Sequence, residues 1–257
     1  MTIVGGQGGP RFRAHVVPRL EPSMAVGACA IKAIDALGAR ERRLATVIPA
    51  DRGLMFAARF PRRLSLGECR DAARHRIPQS AFPGVRPEDL VLALDVARGN
   101  EEHRGRVGAT TREQYQGMVT IADVCQRELV GVYHAVDAWR AALPDAQAII
   151  HLGRKSVMLV IAGAEVTSTT WQRTRMRDWK DQVKEQIKEI RSTRPAEARE
   201  IALVGLKPED EDVEALVRDV NVNVYRPQAV GIPTALTDQA VWWLACGAAL
   251  CAASEAP

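Results

Sequence analysis

Residues 146–171 read AQAIIHLGRKSVMLVIAGAEVTSTTW. Three short runs rich in Ile, Val, Leu and Thr are divided by Gly-containing breaks, which predicts three consecutive strands joined by tight turns, the second turn falling on Ala162, Gly163 and Ala164. Downstream, Trp179, Val183, Ile187 and Ile190 recur at helical spacing within residues 176–194, with mixed charges opposite, so an amphipathic helix with a solvated face follows the strands. EIALVG (200–205) then reads as a strand and PEDEDVEALVRDV (208–220) as a helix whose first acids suit the positive end of its dipole. VNVYRP (222–227) reads as a last strand and residues 237–253 as an apolar helix.

Working backwards, the first half repeats this outline. MAVGACAIKAIDAL (24–37), LATVIP (44–49) and GLMFAARF (53–60) read as three neighbouring antiparallel strands, the last two joined at the turn Ala50-Asp51-Arg52-Gly53. In SLGECRDAARHRI (65–77), Ser65 and Glu68 form a capping box ahead of Leu66, Cys69, Ala73 and Ile77 at helical spacing. LVLALDV (90–96) and GRVGAT (105–110) read as further strands. Thr110 with Glu113 caps a helix expected to run to about Leu129, and residues 132–143 read as another. Two successive patterns of three strands, a helix and a strand imply a duplicated α/β architecture.

Composition narrows the function classes. A chain of 257 residues accommodates one long domain or two lobes, and two lobes fit the repeated pattern better. With 47% hydrophobic but only 5% aromatic residues, the core is expected to consist of Ala, Val, Leu and Ile. The net charge of +4 arises from 35 basic residues, all but six of them Arg, against 31 acids. The nearest candidate for a nucleic-acid stripe, residues 98–112, carries Glu101, Glu102 and no aromatic, so nucleic acid is not indicated as a partner. The five cysteines form no C-x-x-C pair and read as reduced and cytoplasmic. No apolar run approaches the ~20 residues of a membrane span, so no direct membrane insertion is expected. Residues 1–22, rich in Gly and Pro, read as a flexible leader; their GGQGG lacks the G-x-x-x-x-G-K-[ST] pattern of a phosphate loop. His15, His75, His103, His134 and His151 show no i, i+4 pairing, so no metal site is expected.

The segment VGACAIK (26–32) resembles the first phosphate loop of actin-like ATPases, in the I-G-S-S-x-x-K form of the PilM family of type IV pilus assembly. The succession through residues 44–82 resembles that family's strand, proline and helix order. His151-Leu152-Gly153 resembles the entry to its second phosphate loop, ALVG (202–205) the strand before its adenosine loop, and GAALCA (247–252) its terminal helix. The similarity is one of order and spacing over roughly residues 23–252. It implies an α/β, two-lobed actin-like fold (ribonuclease H-like and duplicated), with mixed sheets flanked by helices and reduced subdomains. Lobe I would span 23–147 and lobe II 148–257, the terminal helix packing back on lobe I. Vestigial phosphate and adenosine loops would then lie at Gly27, Ala28, Cys29, Lys32, Gly153, Lys155, Ser156 and Gly205.

The departures bear on function. Active members place Asp two positions before the first loop glycine and at the start of the second loop; Ala25 and His151 occupy those places here. Magnesium on a triphosphate wants hard oxygen ligands and ordered water, which Ala does not supply and His supplies poorly. Leu206 and Lys207 follow Gly205 where the adenosine loop needs consecutive glycines, and residues 170–199 leave little room for the nucleotide-clamping subdomain. The resemblance therefore implies a protein without ATP hydrolysis and without a bound cofactor, serving as a scaffold in a type IV pilus or type II secretion machine. Like the cytoplasmic part of the type II secretion L protein, it would dock the cytoplasmic tail of a single-span inner-membrane protein, with the motor ATPase as a further contact. It would be cytoplasmic and peripheral to the inner membrane through that partner. The competing expectation is a nucleotide-binding actin-like ATPase or kinase-type enzyme with divergent motifs, for which Asp95 is the one base carboxylate to name.

Overall fold

The computed structural model describes residues 2–4, 11–13, 26–38, 42–153, 156–162, 166–172, 178–193, 200–205, 223–225, 227 and 240–254. The second half forms one five-stranded sheet in the order β10-β9-β8-β11-β12. Its strands are β8 (Ala148–Leu152), β9 (Ser156–Ala162), β10 (Val166–Gln172), β11 (Glu200–Gly205) and β12 (Asn223–Tyr225). β8, β9 and β10 are an antiparallel meander, as the runs in 146–171 predict, and β11 joins β8 in parallel with Leu203 opposite Ile150. β8, β9 and β11 are apolar at most positions because both faces are covered there, whereas β10, at the edge, is mainly Ser and Thr. Ile150, Leu152, Leu159 and Leu203 pack beneath α5 (Trp179–Thr193), which contributes Trp179, Val183, Ile187 and Ile190. Ile149, Met158, Val160 and Val204 face the other way, against α4 (Ala135–Ala142) and α6 (Ala240–Ser254). The helix expected at 208–220 lies outside the described residues.

The first half departs from its expected outline at four places. MAVGACAIKAIDAL is not a strand: Val26–Leu37 is the helix α1, beside α3 (Arg112–Val124). Its four alanines, Lys32 and Leu37 favour helix over the β-branched Val26, Ile31 and Ile34, and no alternation of polar and apolar residues holds it extended. The expected leader includes paired strands, β1 (Thr2–Val4) antiparallel to β2 (Arg11–Arg13), with Ile3 opposite Phe12. β3 (Arg43–Ile48) and β4 (Gly53–Pro61) do not form a hairpin. β3 pairs in parallel with β7 (Glu128–His134), a strand that takes the place of the expected helix ends on either side of residue 130. β4 pairs with β6 (Glu102–Thr111), which also pairs with β5 (Leu90–Ala97), giving a separate sheet ordered β4-β6-β5. The Ala50-Asp51-Arg52-Gly53 turn thus hands the chain from one sheet to another, closed by Arg52 N–H donating to the Pro49 carbonyl at 3.0 Å.

α2 (Leu66–Arg76) covers one face of this small sheet, burying Cys69 and Ala73 against Ala58, Phe60 and Val107. The Ser65 capping box is present in full: the Ser65 hydroxyl accepts from the Glu68 N–H while the Glu68 carboxylate accepts from the Ser65 N–H at 2.8 Å. α3 starts one residue later than predicted, with Thr111 as its cap. α6 touches β3 and β7 as well as α4 and β11, so it lies between the two halves of the chain. No helix among the described residues is long and apolar enough to cross a membrane.

Candidate functional site

The residues expected to bind phosphate fall into two groups along the chain. Ala28, Cys29 and Lys32 lie on α1, Ala28 and Lys32 exposed and Cys29 half-buried, and Gly27 is in the first turn of that helix. The expected first loop is thus the opening of a helix, whose first-turn N–H groups have no acceptor within the helix itself. Gly153, Ser156 and Gly205 do come together, at the ends of β8 and β11 where Gly205 stands opposite Leu152. Lys155 lies outside the described residues, as does Ala25.

Local geometry explains both glycines without a nucleotide. Gly205 has φ +113°, and a Cβ there would meet the Leu152 carbonyl oxygen at 2.2 Å, so only glycine lets β11 close on β8. The Gly153 N–H donates to the Ser156 carbonyl at 2.9 Å, inside the turn. His151 is half-buried and packs its ring 5.4 Å from that of Trp139. Burial pushes its imidazole pKa down to about 4, against the pull of the Asp51 carboxylate, so it is neutral at pH 7. It is a core residue of the α4 layer.

A separate concavity lies among the described residues. A groove of about 810 Å³ runs between the small sheet and the β3-β7 pair. One wall is β5, from Val91 to Asp95; the other is β7, from Gly131 to His134. Each is the last strand of its sheet and has one edge without a strand partner among the described residues. Met55 and Gly108 add an apolar floor, and α4 and α6 close one end with Arg140, Ala141 and Cys251. Gly108 keeps the floor low: a Cβ there would find only the Ala93 Cβ, at 3.9 Å.

Charges are confined to one side of the groove. Arg106 on β6 donates to Asp137 of α4 and, at 3.2 Å, to Asp95 of β5, linking the sheet to the helix. Asp95, named above as a possible base, is thus a well-exposed ion-pair partner on an edge strand. His134, at the end of β7, is buried and caps α4, its Nδ1 accepting from the Val136 N–H at 3.3 Å. Burial lowers its pKa, with Asp137 and Gly53 opposing. Sequence reasoning missed the groove because its walls come from segments separated by tens of residues. The available signal was LVLALDV itself, whose Asp95 suits an edge better than a buried strand.

No protein-family profile matches the chain, and no curated protein matches it. Solved structures do. A chain of the PilM-PilN type IV pilus biogenesis complex superposes with a TM-score of 0.67 at 14% identity, over 97% of this chain and 94% of that one. The cytoplasmic domain of EpsL, an inner-membrane component of the type II secretion system of Vibrio cholerae, superposes with a TM-score of 0.51 at 10% identity, over 85% and 79%. A Bacteroides thetaiotaomicron protein described as having an actin-like ATPase fold and unknown function reaches a TM-score of 0.47 at 11% identity, over 80% and 77%. The near end-to-end overlay gives this protein the fold of the pilus chain, the actin-like fold that the sequence resemblance implies.

Proposed function

We propose that the protein is a non-catalytic actin-like scaffold of a type IV pilus or type II secretion assembly platform, and that it holds an extended cytoplasmic segment of a membrane partner in the groove between β5 and β7. One observation carries this reading: a trough lined by two edge strands that have no further strand partner among the described residues. An extended peptide adds to such an edge through main-chain hydrogen bonds, while alternate side chains fill the floor. A preformed trough also lowers the ordering cost of binding. The structural neighbours, a PilM-PilN complex and an inner-membrane secretion component, favour a partner of this kind and a position peripheral to the inner membrane through it. The absence of catalysis is supported by the internal hydrogen bond of Gly153 and by the neutral His151 packed beside Trp139 where the resemblance calls for a carboxylate.

Fluorescence anisotropy with labelled peptides from the cytoplasmic segments of single-span pilus and secretion subunits tests the docking. Gly108→Leu fills the floor against an ordinary 3.9 Å contact, so it should weaken peptide binding at least about tenfold while leaving the unfolding midpoint nearly unchanged. Undiminished binding to this variant, or no binding by any such peptide, would remove the reading. In the same preparation, magnesium-ATP should release no phosphate and should not raise Tm, since any ligand held only by the native state stabilises it by mass action. Turnover that disappears in Lys32→Ala would instead favour the nucleotide-dependent alternative.

A further inference from the structure

The small sheet separates two different surroundings. Side chains alternate across a strand. Val91, Ala93 and Asp95 of β5, opposite Thr110, Gly108 and Arg106 of β6, lie on the groove side. Leu92, Leu94 and Val96 lie on the other, under α2. The outer surface of α2 is therefore directed away from the groove, and its composition is unusual for this chain. Residues 62–76 hold five Arg against Glu68 and Asp71, a surplus of three where the whole chain carries a net charge of +4. Glu68 is engaged in the capping box.

Leu66, Arg70 and Arg74 stand at i, i+4 and i+8 and so share one stripe of the helix, with Arg62 and Arg63 just ahead of its cap. Arg62, Arg63 and Arg70 are exposed, and Leu66 is 51% exposed in their midst. Arg74 is half-buried and Arg76 packs its guanidinium over the Phe60 ring, 5.1 Å from the centroid, which stiffens the base of the stripe. Among the described residues no carboxylate forms an ion pair with Arg63 or Arg70.

We propose that this face of α2 is a contact surface for an anionic lipid bilayer, with Arg62, Arg63 and Arg70 on headgroup phosphates and Leu66 in the interfacial layer. Guanidinium groups pair with phosphate oxygens in a two-pronged geometry, and the attraction grows with each cation brought within a Debye length of the surface. A single protruding leucine among cations matches a bilayer interface, whereas a protein partner would be expected to need aromatic anchors and a desolvated patch, and single-stranded nucleic acid a stacking platform. Such a contact is weak and reversible alone and gains from a second attachment. The proposal goes beyond tail docking, because the surface acts without any peptide in the groove.

Co-sedimentation of the full chain, without peptide, uses vesicles of phosphatidylcholine alone and of phosphatidylcholine mixed equally with phosphatidylglycerol. Retention is expected on the mixed vesicles only, falling as salt is raised. R63E/R70E should lower the partition at least about tenfold. The milder R63Q/R70Q should lie between this variant and the parent, while K188E on the exposed face of α5 should match the parent. Leu66→Ala should reduce retention without changing its salt dependence. Equal recovery with both vesicle types, or an unaltered R63E/R70E that keeps its circular dichroism, overturns the proposal. So does binding to polyglutamate or duplex DNA but not to phosphatidylglycerol, which would assign the surface to an acidic macromolecule. Gly108→Leu still binding vesicles separates this outcome from any failure of the groove reading.

Discussion

At the scale of single residues, His151 shows how position overrides type. A histidine at the end of a strand before Gly153 can be a ligand or a core residue; its stacking on Trp139 and its dehydration decide for the second. The unfolded chain takes up this proton near 6.5, whereas the folded chain does so only near 4. Stability from the neutral ring is therefore complete above the higher value and is lost as pH falls towards the lower one, with a slope of at most about 1.4 kcal/mol per pH unit. His134, also depressed, acts in the same direction. Urea unfolding at about pH 7.5 and about pH 5 should show a smaller difference for His151→Gln than for the parent; an identical difference would place the proton elsewhere. The sequence alone shows the missing carboxylate at 151 but not what the imidazole meets, because Trp139 reaches it from another element.

Among the elements, legibility followed how local the determining forces were. The meander β8-β9-β10 and α5 could be read because their pattern is written within 50 residues and both faces of the sheet are buried. The α2 cap was equally plain, and Ser65→Ala should cost about 0.5–2 kcal/mol in chemical denaturation, with Ser65→Asp restoring most of it. β3 and β4 misled because each satisfies its edges with a distant strand, β7 and β6, and a turn between two strands does not say whether they pair. ELVGVYH was absorbed into flanking helices since it borders α3 and α4 with only residues 125–127 between α3 and β7. α1 was misread because a glycine and a lysine at familiar spacing outweighed four alanines in VGACAIKAIDAL. The groove was invisible for the same non-local reason: neither wall is complete in any one stretch.

For the whole molecule, α6 is the common element. Trp242, Trp243 and Cys246 fill the space against α4, and burial drives the Cys246 thiol up to about 12, so it is an inert apolar filler. At Gly247 the crossing is so close that a Cβ would fall 1.8 Å from the Ala138 carbonyl oxygen. Gly247→Val should therefore destabilise by at least about 3 kcal/mol in urea, because two backbones must part. Gly117→Ala, on α3 with nothing within 4 Å of the new methyl, should stabilise by about 0.5–1 kcal/mol. A matching loss at both sites would mean that glycine is needed for some reason other than contact. The small sheet is joined to the rest very differently. Its chain enters at Gly53 and leaves at Thr111, and Gly53 stands directly opposite Thr110. Both tethers thus sit at one corner, so the width of the groove away from that corner rests on side-chain contacts, the Arg106–Asp137 ion pair and the packing of β4 beside β10 among them.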